Sequence, residues 1–164
     1  MLVVHCTQKL LTRNPGAANV GQDTLVPTLG SWHSNLVWLA HSPVVVCVND
    51  NSLLPILLPG KNFPNFCSAF RDRLTQRLGR LGLLEATISM ERAAMELIQI
   101  QPSTSRSVLG SLNDLVRLLK FRVEDHFSFA QADALEDMLS KTPMGALKYA
   151  YPVEVAAAAF SKFV

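Results

Sequence analysis

The sequence has little of what usually announces a function. Its three cysteines, Cys6, Cys47 and Cys67, cannot all pair and none stands in a Cys-x-x-Cys spacing, which excludes a thioredoxin-like redox motif and a local zinc motif. A reducing cytoplasm is the expected setting. Long hydrophobic runs are missing: residues 44–48 and 53–58 are the most apolar stretches, far below the roughly 18 that a spanning helix needs, so no membrane crossing is expected. The opening Met1-Leu2-Val3-Val4 has no basic region before it and is interrupted by His5, Gln8 and Lys9, so a signal peptide is not expected either. There is no P-loop, no dinucleotide-binding glycine pattern, no Gly-x-Ser-x-Gly elbow and no His-Glu-x-x-His. No cofactor is implied. His5, Cys6 and Cys47 could meet on neighbouring strands, but soft ligands without a spacing signature assign no metal.

What is present is core. Hydrophobic residues make up 49% of the 164 and charged residues 17%, enough for one α+β domain to fold alone, with a core over residues 1–122 and a helical extension over 123–164 packed on it. The formal charge of +2 is unevenly spread: residues 65–122 hold nine Lys or Arg against five Asp or Glu, and residues 123–164 hold three against six. Either the acidic tail packs on the basic middle, or a basic face meets an anionic partner.

Residues 2–6 read as a strand followed by a helical turn. Residues 14–31, with Pro15, Gly16, Gly21, Pro27 and Gly30, read as a loop long enough to be functional. Strands follow over 35–40, 44–48 and 53–58, separated by His41-Ser42-Pro43 and Asn49-Asp50-Asn51-Ser52, which predicts an antiparallel meander. Pro55 places the third at an edge or makes it irregular.

The period then lengthens. Phe66, Phe70, Leu74, Leu78 and Leu81 predict a helix that Gly82 stops, with Arg73, Arg77 and Arg80 along a solvated flank. A second helix is expected over 85–94 and a strand over 95–101. Residues 103–123 carry the clearest amphipathic pattern, with Arg106, Gly110, Asn113, Arg117 and Lys120 opposite the apolar arc and Ser103 or Ser105 as cap. Gly110 mid-helix predicts a close contact with the sheet. Ser128 and Gln131 form a capping-box pattern opening a helix to about 141, and Pro152 opens a last one. The fold expected is an antiparallel sheet of four or five strands with helices on one face.

Two segments could carry chemistry. Trp32-His33-Ser34-Asn35 ends the long loop and starts a strand; a half-buried Trp with a surface His is the plainer outcome, and His33 as a general base, with Ser107 or Ser111 as nucleophile, the sharper one. Residues 103–107 put hydroxyls, backbone N–H groups and Arg106 at a helix amino end, where an anion binds well unless the serines merely cap and Arg106 pairs with the tail. The Arg106, Arg117, Lys120 stripe needs counter-charges, and Glu124, Asp125, Asp133, Glu136 and Asp137 of the tail are the expected source.

The order of these motifs resembles a bacterial and archaeal family, domain of unknown function 6933. The resemblance rests on residues 5–10 (His5-Cys6-Thr7-Gln8-Lys9-Leu10), Ser31-Trp32-His33-Ser34-Asn35-Leu36, Cys47-Val48-Asn49-Asp50, and residues 105–114 from Ser105-Arg106-Ser107 to Asn113-Asp114. It covers roughly residues 2–120, with Gln8 where a second lysine is expected, and it implies no reaction. The reading that follows is a non-enzymatic binding or regulatory module for an anionic ligand or a protein partner, with Trp32, His33, Asn35, Arg106, Ser107, Asn113, Arg117 and Lys120 as binding residues. Its alternative is a small enzyme acting on a phosphate-containing substrate such as RNA, with His33 as base and Arg106 as anion clamp.

Overall fold

A computed structural model describes residues 1–16 and 25–162. The middle of the expected 14–31 loop lies outside the described residues. Five strands, β1 (Leu2–Cys6), β2 (Trp32–Leu39), β3 (Ser42–Asn49), β4 (Pro55–Pro59) and β5 (Ile98–Pro102), form one sheet in the order β4-β3-β2-β1-β5. The helices are α1 (Gln8–Leu11), α2 (Phe66–Arg80), α3 (Glu85–Ala94), α4 (Arg106–Val123), α5 (Ala132–Ser140) and α6 (Pro152–Ser161).

The expectation of a purely antiparallel sheet is corrected. The meander β2-β3-β4 is antiparallel, but β1 runs parallel to both β2 and β5. Parallel neighbours need long crossovers, and residues 7–31 on one side and α2 with α3 further along supply that length. Helices on one face is corrected as well. Alternate side chains of one strand feed two cores: Val45, Cys47, Ile56 and Leu58 meet Phe66, Phe70 and Phe160, whereas Val44, Val46, Val48 and Leu57 meet Leu112, Leu115, Leu119 and Leu135. The strands are buried on both sides, so they read as continuous apolar runs.

The hairpin between β2 and β3 is tighter than expected. Leu39 pairs with Ser42, and the two residues between, Ala40 and His41, both have positive φ, the mark of a two-residue turn matched to strand twist. Pro55 opens the edge strand β4, as its missing donor requires. Gly60 follows β4 and packs so closely on Pro43 that a Cβ would come within 2.4 Å of that residue's backbone, so only glycine fits.

Helix α5 covers the outer edge of β4. Glu136, wholly buried, accepts the outward Leu57 N–H at 2.9 Å, a group that would otherwise be an orphan donor on a sheet edge. Its carboxylate also receives Arg73 at 2.9 Å and Arg80 at 2.6 Å, while Arg77 reaches Asp137 at 2.6 Å and Ser140 at 2.5 Å. The expected solvated arginine flank of α2 is therefore a half-buried ionic seam built around the buried Glu136 and Arg77. The tail does neutralise the basic middle, but on α2 and not on α4.

Candidate functional site

The register places a row of polar side chains on one sheet face. His5 of β1 is level with His33 of β2 and with Gln101 of β5, and their rings stack at 4.7 Å between centroids, 29° from parallel. Two residues further, Thr7 donates to Asn35 Oδ1 at 2.7 Å. The tight hairpin sets Asp50, just beyond β3, opposite Ser31 and diagonal to His33. Asp50 Oδ1 lies 2.6 Å from His33 Nδ1, and its Oδ2 accepts the Ser31 hydroxyl at 2.6 Å.

Asn49 makes this geometry rigid. Its buried amide donates to the Leu29 and Ser31 carbonyls at 2.8 and 3.0 Å and accepts from Ser52 N–H and Oγ at 2.9 and 2.8 Å. The loop end and the turn are thereby stapled together. Glu91, from α3, holds the same loop end by accepting Thr28 N–H with both oxygens, at 2.9 and 3.1 Å.

Burial by itself raises the Asp50 pKa and is the largest single influence, but the hydrogen bonds from His33 and Ser31, with the nearby His33 and His5 rings, together hold it below 3.8. An ionised carboxylate only accepts, so His33 Nδ1 carries the proton in this contact. Nε2 is then the free nitrogen. It is buried, and it has no hydrogen-bond partner among the described residues.

This face adjoins the start of α4. Ser103 N–H donates to Cys6 O at 3.0 Å, continuing the β1–β5 ladder, and His5 Nδ1 faces Pro102 O at 3.4 Å. Ser103 Oγ is a second buried atom without a partner. Ser105, not Ser103, caps α4 by accepting Val108 N–H at 3.3 Å. The helix after β1 packs Leu10 into one core and the helix after β5 packs Leu112 into the other, so adjacent parallel strands send their connections to opposite faces. That is a topological switch point, where ligands of α/β sheets bind outside the carboxyl ends of the strands.

The residues singled out in the sequence divide between three places. His33 and Asn35 lie on the polar face and Arg106 and Ser107 at the α4 amino end, while Asn113, Arg117 and Lys120 continue along the exposed side of α4. Trp32 does not join them. Far from half-buried, it is wholly inside the opposite core, edge-on to Phe70 at 5.4 Å, and His33 is 2% exposed rather than on the surface. Gly110 is corrected too: a Cβ there would meet nothing within 4 Å, so the glycine faces open space instead of the sheet. The tail acids expected to cover the α4 stripe are engaged by α2 or lie at the far end of α4. His5, Ser31 and Asp50 were missed as site residues. Their signal was the hairpin: a two-residue turn at Ala40-His41 puts Asp50 beside His33, whereas the assumed three-residue separator shifts the pairing.

Cys6 and Cys47 lie in the core on the face opposite His5. Burial, aided by Cys67, pushes the Cys6 thiol up to about 12, and burial raises Cys47 as well, so both are inert. Among the described residues no three His, Cys, Asp or Glu are grouped to hold a metal, and no helix is long and apolar enough to cross a membrane.

A mixed five-stranded α+β sheet with a carboxylate-oriented histidine beside its switch point defines the class. The chain belongs to the family described as a domain of unknown function, DUF6933, whose model matches residues 3–155, well beyond the roughly 120 residues that the motifs span. No curated protein and no solved structure matches it.

Proposed function

We propose that this chain is a non-enzymatic binding module that takes an anionic group at the carboxyl ends of β1 and β5, beside the amino end of α4. The observation that carries the reading is His33: Asp50 fixes its ring through Nδ1, and Nε2 is left buried without a partner beneath the sheet's half-buried polar row. An unanswered buried nitrogen costs about 1–3 kcal/mol, a cost that a bound group relieves. Nε2 offers a lone pair, so the fitting group is one that keeps an O–H, as a hydrogen phosphate does; the half-buried His5 and Ser103 and the exposed Arg106 surround it as donors to the other oxygens, and the helix dipole favours negative charge.

Histidine ring NMR signals followed during titration with inorganic phosphate and then with adenosine monophosphate test this. Saturable shifts of the His5 and His33 signals, abolished in Asp50→Asn, are expected. Shifts confined to His41 and His126, or none at all, overturn the reading.

One contact favours a second reading. A carboxylate holding a histidine through Nδ1 is also how a general base is oriented, and His33 would then remove a proton from a phosphate-containing substrate such as RNA, with Arg106 as clamp. Neither Ser107 nor Ser111 hydrogen-bonds Nε2, which is why binding is preferred. Turnover of end-labelled RNA that is lost in His33→Ala and kept in Lys162→Ala would reverse the preference.

A further inference from the structure

We propose that the outward side of α4 is a docking surface for single-stranded nucleic acid. Arg106, Asn113, Arg117 and Lys120 lie exposed along one stripe, opposite the buried Leu112, Leu115, Val116 and Leu119. At 1.5 Å per residue the stripe runs about 21 Å from Arg106 to Lys120, long enough to follow several phosphates of one strand.

The charge on this side is only partly compensated. Asp114 pairs with Arg117 at 3.0 Å, with both side chains in solvent, and it is the one acid within the stripe; Glu124 and Asp125 stand past the helix end. Asp133, Glu136 and Asp137 are taken by Arg73, Arg77 and Arg80. Arg106 and Lys120 have no ion pair among the described residues. Three cations against one acid fit a polyanion and repel an acid-poor basic partner.

The aromatic groups select the single strand. Phe121 is 78% exposed one turn beyond Arg117, and Tyr149 is 76% exposed. Beside Arg117 lies a 380 Å³ cavity lined by Asp114, Arg117, Leu118 and residues 142–145, and Tyr149 N–H donates to the carbonyl of Met144 in its wall. Exposed rings beside a cationic track are what unstacked bases and their phosphates need together; a duplex keeps its bases inside and cannot use the rings. Gly110, with no side chain on the stripe, leaves the track open to close approach.

The surface goes beyond the anion site at His33, because its decisive residues, Arg117, Lys120, Phe121 and Tyr149, take no part there. Fluorescence anisotropy of a labelled twelve-nucleotide oligo-uridine with the full chain tests it. Expected are a log–log salt slope near −2, as three cations on a single strand give, and about tenfold or greater weakening in Arg117→Glu/Lys120→Glu. Phe121→Ala should weaken binding with the salt slope unchanged. All these positions are exposed, so folding persists, and circular dichroism confirms it. Equal affinity for a duplex of the same length, or binding unchanged by the double charge reversal, overturns the proposal. So does the absence of binding at 50 mM salt.

Discussion

Helices α2 and α4 carry basic stripes that look alike on paper, Arg73, Arg77 and Arg80 on one and Arg106, Arg117 and Lys120 on the other, yet they meet opposite fates. The first is roofed by α5, whose Asp133, Glu136 and Asp137 engage every one of its guanidinium groups. The second keeps its charges in water. The difference lies in what each stripe is beside. Helix α2 packs next to the edge strand β4, and an edge must be covered; Glu136 answers the Leu57 N–H and, being a buried carboxylate, must itself be answered by cations from the nearest helix. Burial lowers the Arg77 pKa, and Arg80 beside it acts the same way against the pull of Asp137 and Glu136; at Arg80 the hydrogen bond and charge of Glu136 outweigh burial and raise it. Helix α4 covers β2 and β3, inner strands of the sheet, and has no sheet edge to close, so nothing requires its outer side to be roofed.

The largest effect that breaks this comparison is Glu136→Ala. It leaves Arg73, Arg80 and the Leu57 N–H without a buried acceptor and should cost about 3–5 kcal/mol in urea denaturation, with Glu136→Gln costing less because an acceptor oxygen remains. A loss under about 1 kcal/mol in the alanine variant would show that the seam is decoration.

Asp50→Asn follows in size. Replacing an acceptor of charge-assisted bonds from His33 and Ser31 should cost about 1.5–3 kcal/mol at neutral pH. The folded protein holds this carboxyl below 3.8, so the stabilisation is complete above that value and disappears as pH falls through the lower folded one. Stability curves of the two proteins should therefore converge in acid. Curves that stay parallel would mean that the ionised form is not what stabilises.

Much of the scaffold was legible in the residues because it follows from local rules. Apolar runs, helical periodicity and breakers found the five strands and six α-helices of the described residues, α3 to the residue, and Ser128 with Gln131 forms the expected capping box. What was illegible depends on distant partners. The direction of β1 is set by crossovers with no local mark, and the burial of Arg73, Arg77 and Arg80 depends on acids some 60 positions later. The site was half legible: His33 and Asn35 stood out beside a loop, but Asp50 read as turn chemistry because its side chain acquires meaning only once the hairpin register is fixed.

Gly110→Ala sharpens the contrast from the α4 side. With nothing for a Cβ to strike, the change removes only the backbone freedom of glycine in a helix and should stabilise by about 0.5–1 kcal/mol in thermal or urea melts. Destabilisation would mean that something packs on this position after all.

The smallest effect on stability is expected at Arg117→Ala. Arg117 is 79% exposed in its side chain and its partner Asp114 is one helical turn away, so the pair contributes about 0.2–0.5 kcal/mol and salt screens it. The matching change on α2, Arg77→Ala, empties the site of a side chain that is 2% exposed and removes its hydrogen bonds to Asp137 and Ser140, and should cost several times as much. Urea titrations of both variants at low and high salt measure the contrast. Arg117→Ala should lose what little it loses only at low salt, while the Arg77→Ala deficit should persist, because most of it comes from emptying a buried side-chain site, which salt does not screen. If instead the two variants unfold at the same midpoint, the α2 seam is as solvated as the α4 stripe, and the resemblance of the two sequences reflects a resemblance in structure.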